Sequence, residues 1–166
     1  MKKFELTAEF VTNVFGKKLF RIKALVAFGD VEKGELGGFI EKEDNLSHDD
    51  NAWVSGNAWV SGDARVSGNA WVYGNAWVSG NARVSGNADY AAVAGFGRYS
   101  RTTTFFRCKD KILRVQCGCF YGDLAQFREI VKKTHGDSKY AKEYLAIADL
   151  MELHFAEEEE KQEAAE

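Results

Sequence analysis

The 166-residue chain is 45% hydrophobic and 28% charged, has no proline and three cysteines, and carries a formal net charge of −3. Those proportions exclude collagen-like, disordered and disulfide-rich secreted chains and supply enough apolar material for one globular domain with appendages. No stretch approaches the roughly 18 apolar residues of a membrane span, Glu5 and Glu9 interrupt any signal-peptide apolar region, and the odd cysteine count suits a reducing compartment, so a cytoplasmic location is expected.

The charge is uneven. Glu157, Glu158, Glu159, Glu160, Glu163 and Glu166 against Lys161 place −5 in the last eleven residues and leave +2 for residues 1–155. Residues 156–166 read as a solvated acidic tail, with nucleic-acid mimicry or an intramolecular plug as the alternatives.

From the N-terminus, Leu6 to Phe15 predicts a strand, Gly16-Lys17 a turn, and residues 18–28 a second, half-buried strand in which Leu19, Arg21 and Lys23 alternate with Phe20, Ile22 and Ala24. Residues 1–50 are thus expected to form a β-hairpin cap ahead of the repeat. Between residues 51 and 86 six hexads follow one another, of the form Asn-Ala-Trp-Val-Ser-Gly, with Arg at the third position of the third and sixth. Each Ala-X-Val triplet predicts a short strand with Ala and Val inward and X outward, and each Gly-Asn or Gly-Asp pair a corner. Val54, Val60, Val66, Val72, Val78 and Val84 then form an apolar column.

These hexads resemble the hexapeptide-repeat, left-handed parallel β-helix family, in which three hexads make one coil. The run Leu36-Gly37-Gly38-Phe39-Ile40 leading to Asn45-Leu46-Ser47 resembles the cap of a group of phage and prophage proteins commonly labelled transferase-like. The resemblance implies a short left-handed parallel β-helix over residues 51–92. An 18-residue coil stacks Trp53 on Trp71, Trp59 on Trp77, and Arg65 on Arg83. Two exposed aromatic faces would need covering, which points to a homotrimer closed by heterologous contacts or to a platform that stacks nucleobases. The arginine pair calls for an anion, either a carboxylate or a bound phosphate.

Beyond Tyr90 the pattern changes. Tyr99–Arg107 and Ile112–Tyr121 predict two strands, Asp123 caps a helix that Gly136 ends, and Asp137 or Ser138 starts another that carries Tyr140, Tyr144, Ile147, Ala148 and Met151. Residues 93–155 are expected to be a ββαα domain, so the whole chain reads as mainly β with a C-terminal α+β unit. Cys117 and Cys119 fall beside Leu113 and Val115, and with Cys108 and His135 they lack zinc-knuckle spacing; they read as core thiols. Neither a metal nor a cofactor is expected.

The candidate binding residues are Arg98, Ser100, Arg101, Thr102, Thr103, Thr104 and Arg107, a cationic and hydroxyl-rich run suited to phosphate oxygens, together with Arg65 and Arg83. Trp53, Trp71, Trp59 and Trp77 are the candidate trimer or stacking faces. The functional expectation is a non-catalytic, homotrimeric phage-type protein that captures an anionic, cyclic or linear nucleotide-like molecule in the host cytoplasm and sequesters a host immune signal. The alternatives are a coenzyme A-dependent acyltransferase, with His48 as its general base, and a host-protein-binding inhibitor or structural phage protein.

Overall fold

The computed structural model describes residues 2–156. Strand β1 (Phe4–Thr12) pairs antiparallel with β2 (Lys18–Ala24), which pairs antiparallel with β3 (Leu36–Ile40). The hexads contribute six two-residue strands: β4 (Trp53–Val54), β5 (Trp59–Val60), β6 (Arg65–Val66), β7 (Trp71–Val72), β8 (Trp77–Val78) and β9 (Arg83–Val84). They pair in parallel as β4 with β7, β5 with β8 and β6 with β9, so that Trp53 faces Trp71, Trp59 faces Trp77 and Arg65 faces Arg83.

The chain does not form the expected continuous left-handed β-helix. The hexad ladders end after two residues, because a glycine with φ between 60° and 69° turns the chain at positions 56, 62, 68, 74 and 80, a backbone region that side chains with a Cβ seldom occupy. Two ladders stand alone as two-stranded sheets, and the third is the end of a five-stranded sheet ordered β1-β2-β3-β5-β8. Gly86 is extended instead (φ −160°) and leads into a short 3-10 turn, so the repeat stops there. The protein as a whole is a mixed α/β fold of small sheets and two helices.

Nor is the C-terminal unit ββαα. It holds a four-stranded antiparallel sheet in the order β10 (Tyr90–Phe96), β11 (Arg101–Arg107), β12 (Leu113–Cys117) and β13 (Phe120–Asp123), followed by α1 (Leu124–His135) and α2 (Lys139–His154). The single strand expected over 112–121 is folded back on itself at Gly118-Cys119, where Cys117 pairs with Phe120. Gly118 has φ 58°, which a two-residue hairpin loop demands of its first residue.

Two apolar cores result. In the first, Val54, Val60, Val66, Val72, Val78 and Val84 are fully buried with Phe4, Ile22, Ile40 and Phe106. The second places Phe105, Val115, Phe127, Ala148 and Met151 between the C-terminal sheet and the helices. Strand β11 joins them, because successive side chains of a strand point to opposite faces: Phe105 enters the second core and Phe106 the first. Polar contacts fasten the same seam. The Trp77 amide donates to Thr104 Oγ1 at 3.0 Å, the Ser79 hydroxyl to Gln116 Oε1 at 2.6 Å, and the Tyr90 phenol to the Trp71 carbonyl at 2.7 Å.

Among the described residues no helix is long and apolar enough to cross a membrane. The acidic tail expected at 156–166 lies, from Glu157 onward, outside the described residues.

Candidate functional site

The tryptophans do not form two equivalent exposed faces. Trp53 is fully buried; its ring meets Phe28 edge-on with centroids 5.3 Å apart, and it packs under Gly37. Trp71 and Trp77 are half-buried, and each indole N–H donates to a serine sixteen residues earlier, Ser55 at 2.8 Å and Ser61 at 2.7 Å. The corresponding position for Trp53 is Gly37, which has no hydroxyl, and the Trp53 indole nitrogen is buried without a partner. Trp59 and Trp77 meet edge-to-face at 5.2 Å, and Phe15 from the N-terminal hairpin leans on Trp77 at 6.2 Å. The cover that a neighbouring subunit was expected to provide comes, for Trp53, from the chain itself.

His48 is held at both ring nitrogens. Nδ1 accepts the Lys3 backbone N–H at 3.0 Å, Nε2 lies 2.8 Å from Glu43 Oε1, and the ring stacks on Phe4 at 4.2 Å. The hydrogen bond to His48, reinforced by Lys2, holds the Glu43 carboxyl below the usual carboxylate range. With Nδ1 occupied as an acceptor and Nε2 directed at Glu43, His48 has no lone pair left for a substrate proton.

The residues nominated for anion binding are dispersed. Thr103 and Thr104 are fully buried: Thr104 Oγ1 takes the Trp77 amide, and Thr103 Oγ1 donates to Cys117 Sγ at 3.3 Å. Arg107 pairs with Asp89 at 3.3 Å and lies over the Phe155 ring at 5.2 Å. Arg83 donates to the carbonyls of Asp63 (2.7 Å) and Ala82 (2.9 Å), and Arg65 to that of Asp44 (3.4 Å), so backbone oxygens answer the repulsion between this pair. Arg65 and Arg83 share a groove with Lys42, Lys109, Asp44 and Asp63, in which Lys42 is bound to Asp63 at 2.7 Å. Thr102 borders a hollow beside Trp59 and Trp77, and Ser100 is exposed at the β10–β11 turn with φ 51°. These separate surfaces make no repeat-helix nucleotide groove, which overturns the nucleotide-capture expectation.

Arg98 and Arg101 do come together. Both line a cleft of about 480 Å³ between the β12–β13 hairpin and the helices. The volume falls within the range of small-molecule sites. Its walls are Phe120 from β13, Phe127, Ile130 and Val131 from α1, and Tyr144 from α2. Helix α1 is aimed by a reciprocal cap in which Asp123 Oδ1 accepts the Gln126 amide at 2.8 Å and the Asp123 amide donates to Gln126 Oε1 at 2.9 Å. His135 at its last turn stacks on Tyr144 at 5.8 Å.

Among the described residues neither Arg98 nor Arg101 pairs with a carboxylate. The Arg101 guanidinium lies 5.3 Å from the Tyr99 ring centroid and covers Gly118, where any Cβ would collide with it. At the cleft floor the Tyr144 phenol donates to the Phe96 carbonyl at 3.2 Å, and burial pushes its pKa up to about 12. Tyr144 therefore stays a neutral phenol in the physiological range.

Cys117 and Cys119 also line this cleft. The expectation that all three cysteines are core thiols is corrected: Cys108 is buried, Cys117 half-buried and Cys119 exposed. Cys108 belongs to the first core and Cys117 packs on the second, so the cysteines and His135 are not gathered as one ligand set. Among the described residues no group of three His, Cys, Asp or Glu side chains is placed to hold a metal ion. Cys119, expected in the core, and the helix-borne walls were not among the candidate binding residues; the glycine before Cys119 was the available signal for the hairpin.

Two overlapping stretches, residues 58–74 and 64–80, match the family model described as the YdcK beta solenoid repeat. The likeness is confined to part of the hexad segment and is a similarity in that repeat alone. No curated protein matches the chain. The expected kinship with a phage and prophage group is therefore replaced by this local repeat likeness, and the phage-type function loses its support.

Proposed function

We propose that this chain is a ligand-binding protein whose C-terminal sheet-and-helix unit takes up a small organic anion with an apolar body. The observation that carries the reading is the pairing of an apolar cleft with two guanidinium groups that have no carboxylate partner among the described residues. Burial of an aliphatic or aromatic body against Phe120, Phe127 and Ile130 contributes roughly 25 cal/mol per Å² of apolar surface, and a carboxylate head matches the fork of an arginine. The neutral Tyr144 phenol, already hydrogen-bonded to the Phe96 carbonyl, stiffens the floor.

Titration calorimetry with decanoate and with decanol tests the reading. Decanoate is expected to bind at least about tenfold more tightly than the alcohol, and Arg98→Ala and Arg101→Ala each to remove that preference. Equal affinity for acid and alcohol, or an acid preference that survives both substitutions, would overturn it.

A further inference from the structure

We infer that Cys117 and Cys119 form a redox-active dithiol that exchanges with small-molecule disulfides. The sequence Cys117-Gly118-Cys119 spans the β12–β13 turn, and both thiols line one cleft. Two virtual bonds of about 3.8 Å, folded by the turn, bring the flanking Cα atoms within the roughly 4.4–6.8 Å that a disulfide spans. Gly118 at φ 58° lets the chain bend there without a Cβ between the sulfurs.

The two thiols differ in a way that divides the work. Cys119 is exposed and open to attack on an incoming disulfide, while Cys117 is half-buried and held from behind by the Thr103 hydroxyl. The Arg101 guanidinium covers Gly118 between the two cysteines. Cys108, buried in the other core, cannot join the exchange.

In the first step the Cys119 thiolate attacks one sulfur of the small disulfide; that S–S bond breaks, and one thiolate leaves and takes up a proton. Cys117 then loses its proton and attacks Cys119 Sγ, forming the Cys117–Cys119 bond and expelling the second thiolate. Two electrons pass from the protein dithiol to the small disulfide, which leaves as two thiols. The inference stands on the turn and the thiols alone and does not depend on the anion reading.

The test incubates the full chain with oxidised glutathione at neutral pH, quenches with acid and maps the tryptic peptide spanning residues 115–128. The expected result is the loss of two hydrogen masses from that peptide, reversed by dithiothreitol. Cys117→Ser should halt at a stable glutathione adduct on Cys119, and Cys108→Ser should behave as the parent. Circular dichroism of each variant separates lost exchange from lost folding. Persistent adducts on the parent chain with no internal disulfide, or an internal disulfide that includes Cys108, would overturn the assignment.

Discussion

The junction between the N-terminal sheet and the hexads leaves no room for a methyl group at Gly37 or Gly38, and Gly37→Ala puts it under test. A Cβ at position 37 would sit 2.5 Å from the Val54 carbonyl oxygen, 2.7 Å from Ile22 Cγ1 and 2.7 Å from Trp53 Cζ2. None of these is the free end of a flexible chain: one is backbone, and Ile22 and Trp53 are fully buried. Relief requires β3 to withdraw from the coil or Trp53 to shift, and overpacking of this kind costs about 1–3 kcal/mol, with the upper end expected where three rigid neighbours are met. Gly86→Ala is the internal control. It has no heavy atom within 4 Å of its would-be Cβ and an ordinary extended backbone, so the lower entropy of its unfolded chain makes it neutral or stabilising by about 0.4–1 kcal/mol. For a chain of this size each kcal/mol moves Tm by roughly 2–4 °C, which puts the two variants about 6–16 °C apart in a thermal melt. Tryptophan emission should shift to longer wavelength in Gly37→Ala as Trp53 loosens. Melting temperatures within about 2 °C of each other would refute the claim that β3 meets the coil with no room for a side chain at Gly37.

Lys3 predicts a pH dependence. Its ammonium is buried over Phe28 and donates to the Ala52 carbonyl at 2.6 Å, and desolvation, partly offset by Asp50 and Asp49, lowers its pKa to about 8. Because the unfolded lysine holds its proton to about pH 10.4, the unfolded state binds more protons between these values. This group's contribution to stability therefore rises as pH increases from about 8 to about 10.4, by about 1–2 kcal/mol after allowance for solvent screening. The urea midpoint of the parent relative to that of Lys3→Met should rise across that range, because the difference cancels the opposing titration of buried groups such as Tyr90, whose raised pKa works the other way. Thr104→Val leaves the Trp77 amide without its acceptor at the seam between the cores, so chemical denaturation should register a loss of about 1–3 kcal/mol; an unchanged midpoint would mean the seam does not depend on it. Asp123→Ala removes the α1 cap and should cost about 1 kcal/mol by the same assay, with weaker decanoate binding because the walls on α1 lose their fixed start.

The hexads show how far local pattern reaches. A period of six with alanine and valine flanking one variable residue determines which side chains point inward, because alternation within a short strand is a backbone property, and all six valines are fully buried. The same pattern could not say what the hexads belong to. Whether small ladders extend into a continuous helix depends on how many coils stack and on what packs against them. Here the antiparallel strands from the N-terminus take over one ladder, and β11 packs along the other side through Phe106 and Thr104. The variable positions were legible as outward and not as exposed: Phe28 and Gly37 lie close in space to Trp53 only after folding.

The cleft follows the same division. Arg98 and Arg101 stood out in the sequence as part of a cationic run, but the run alone could not separate them from Arg107, which Asp89 engages, or from Thr103 and Thr104, which face inward. The hexad period, the capping residues of both helices and the local chemistry of Cys117-Gly118-Cys119 are written in the sequence, because each depends on neighbours a few residues apart. Tertiary structure alone decided which tryptophan is covered, which arginines stay without a carboxylate among the described residues, and that a hairpin turn and two helices meet around one cavity. Those outcomes depend on contacts between residues distant in the chain, and burial and electrostatic pairing are set by those contacts rather than by local conformation.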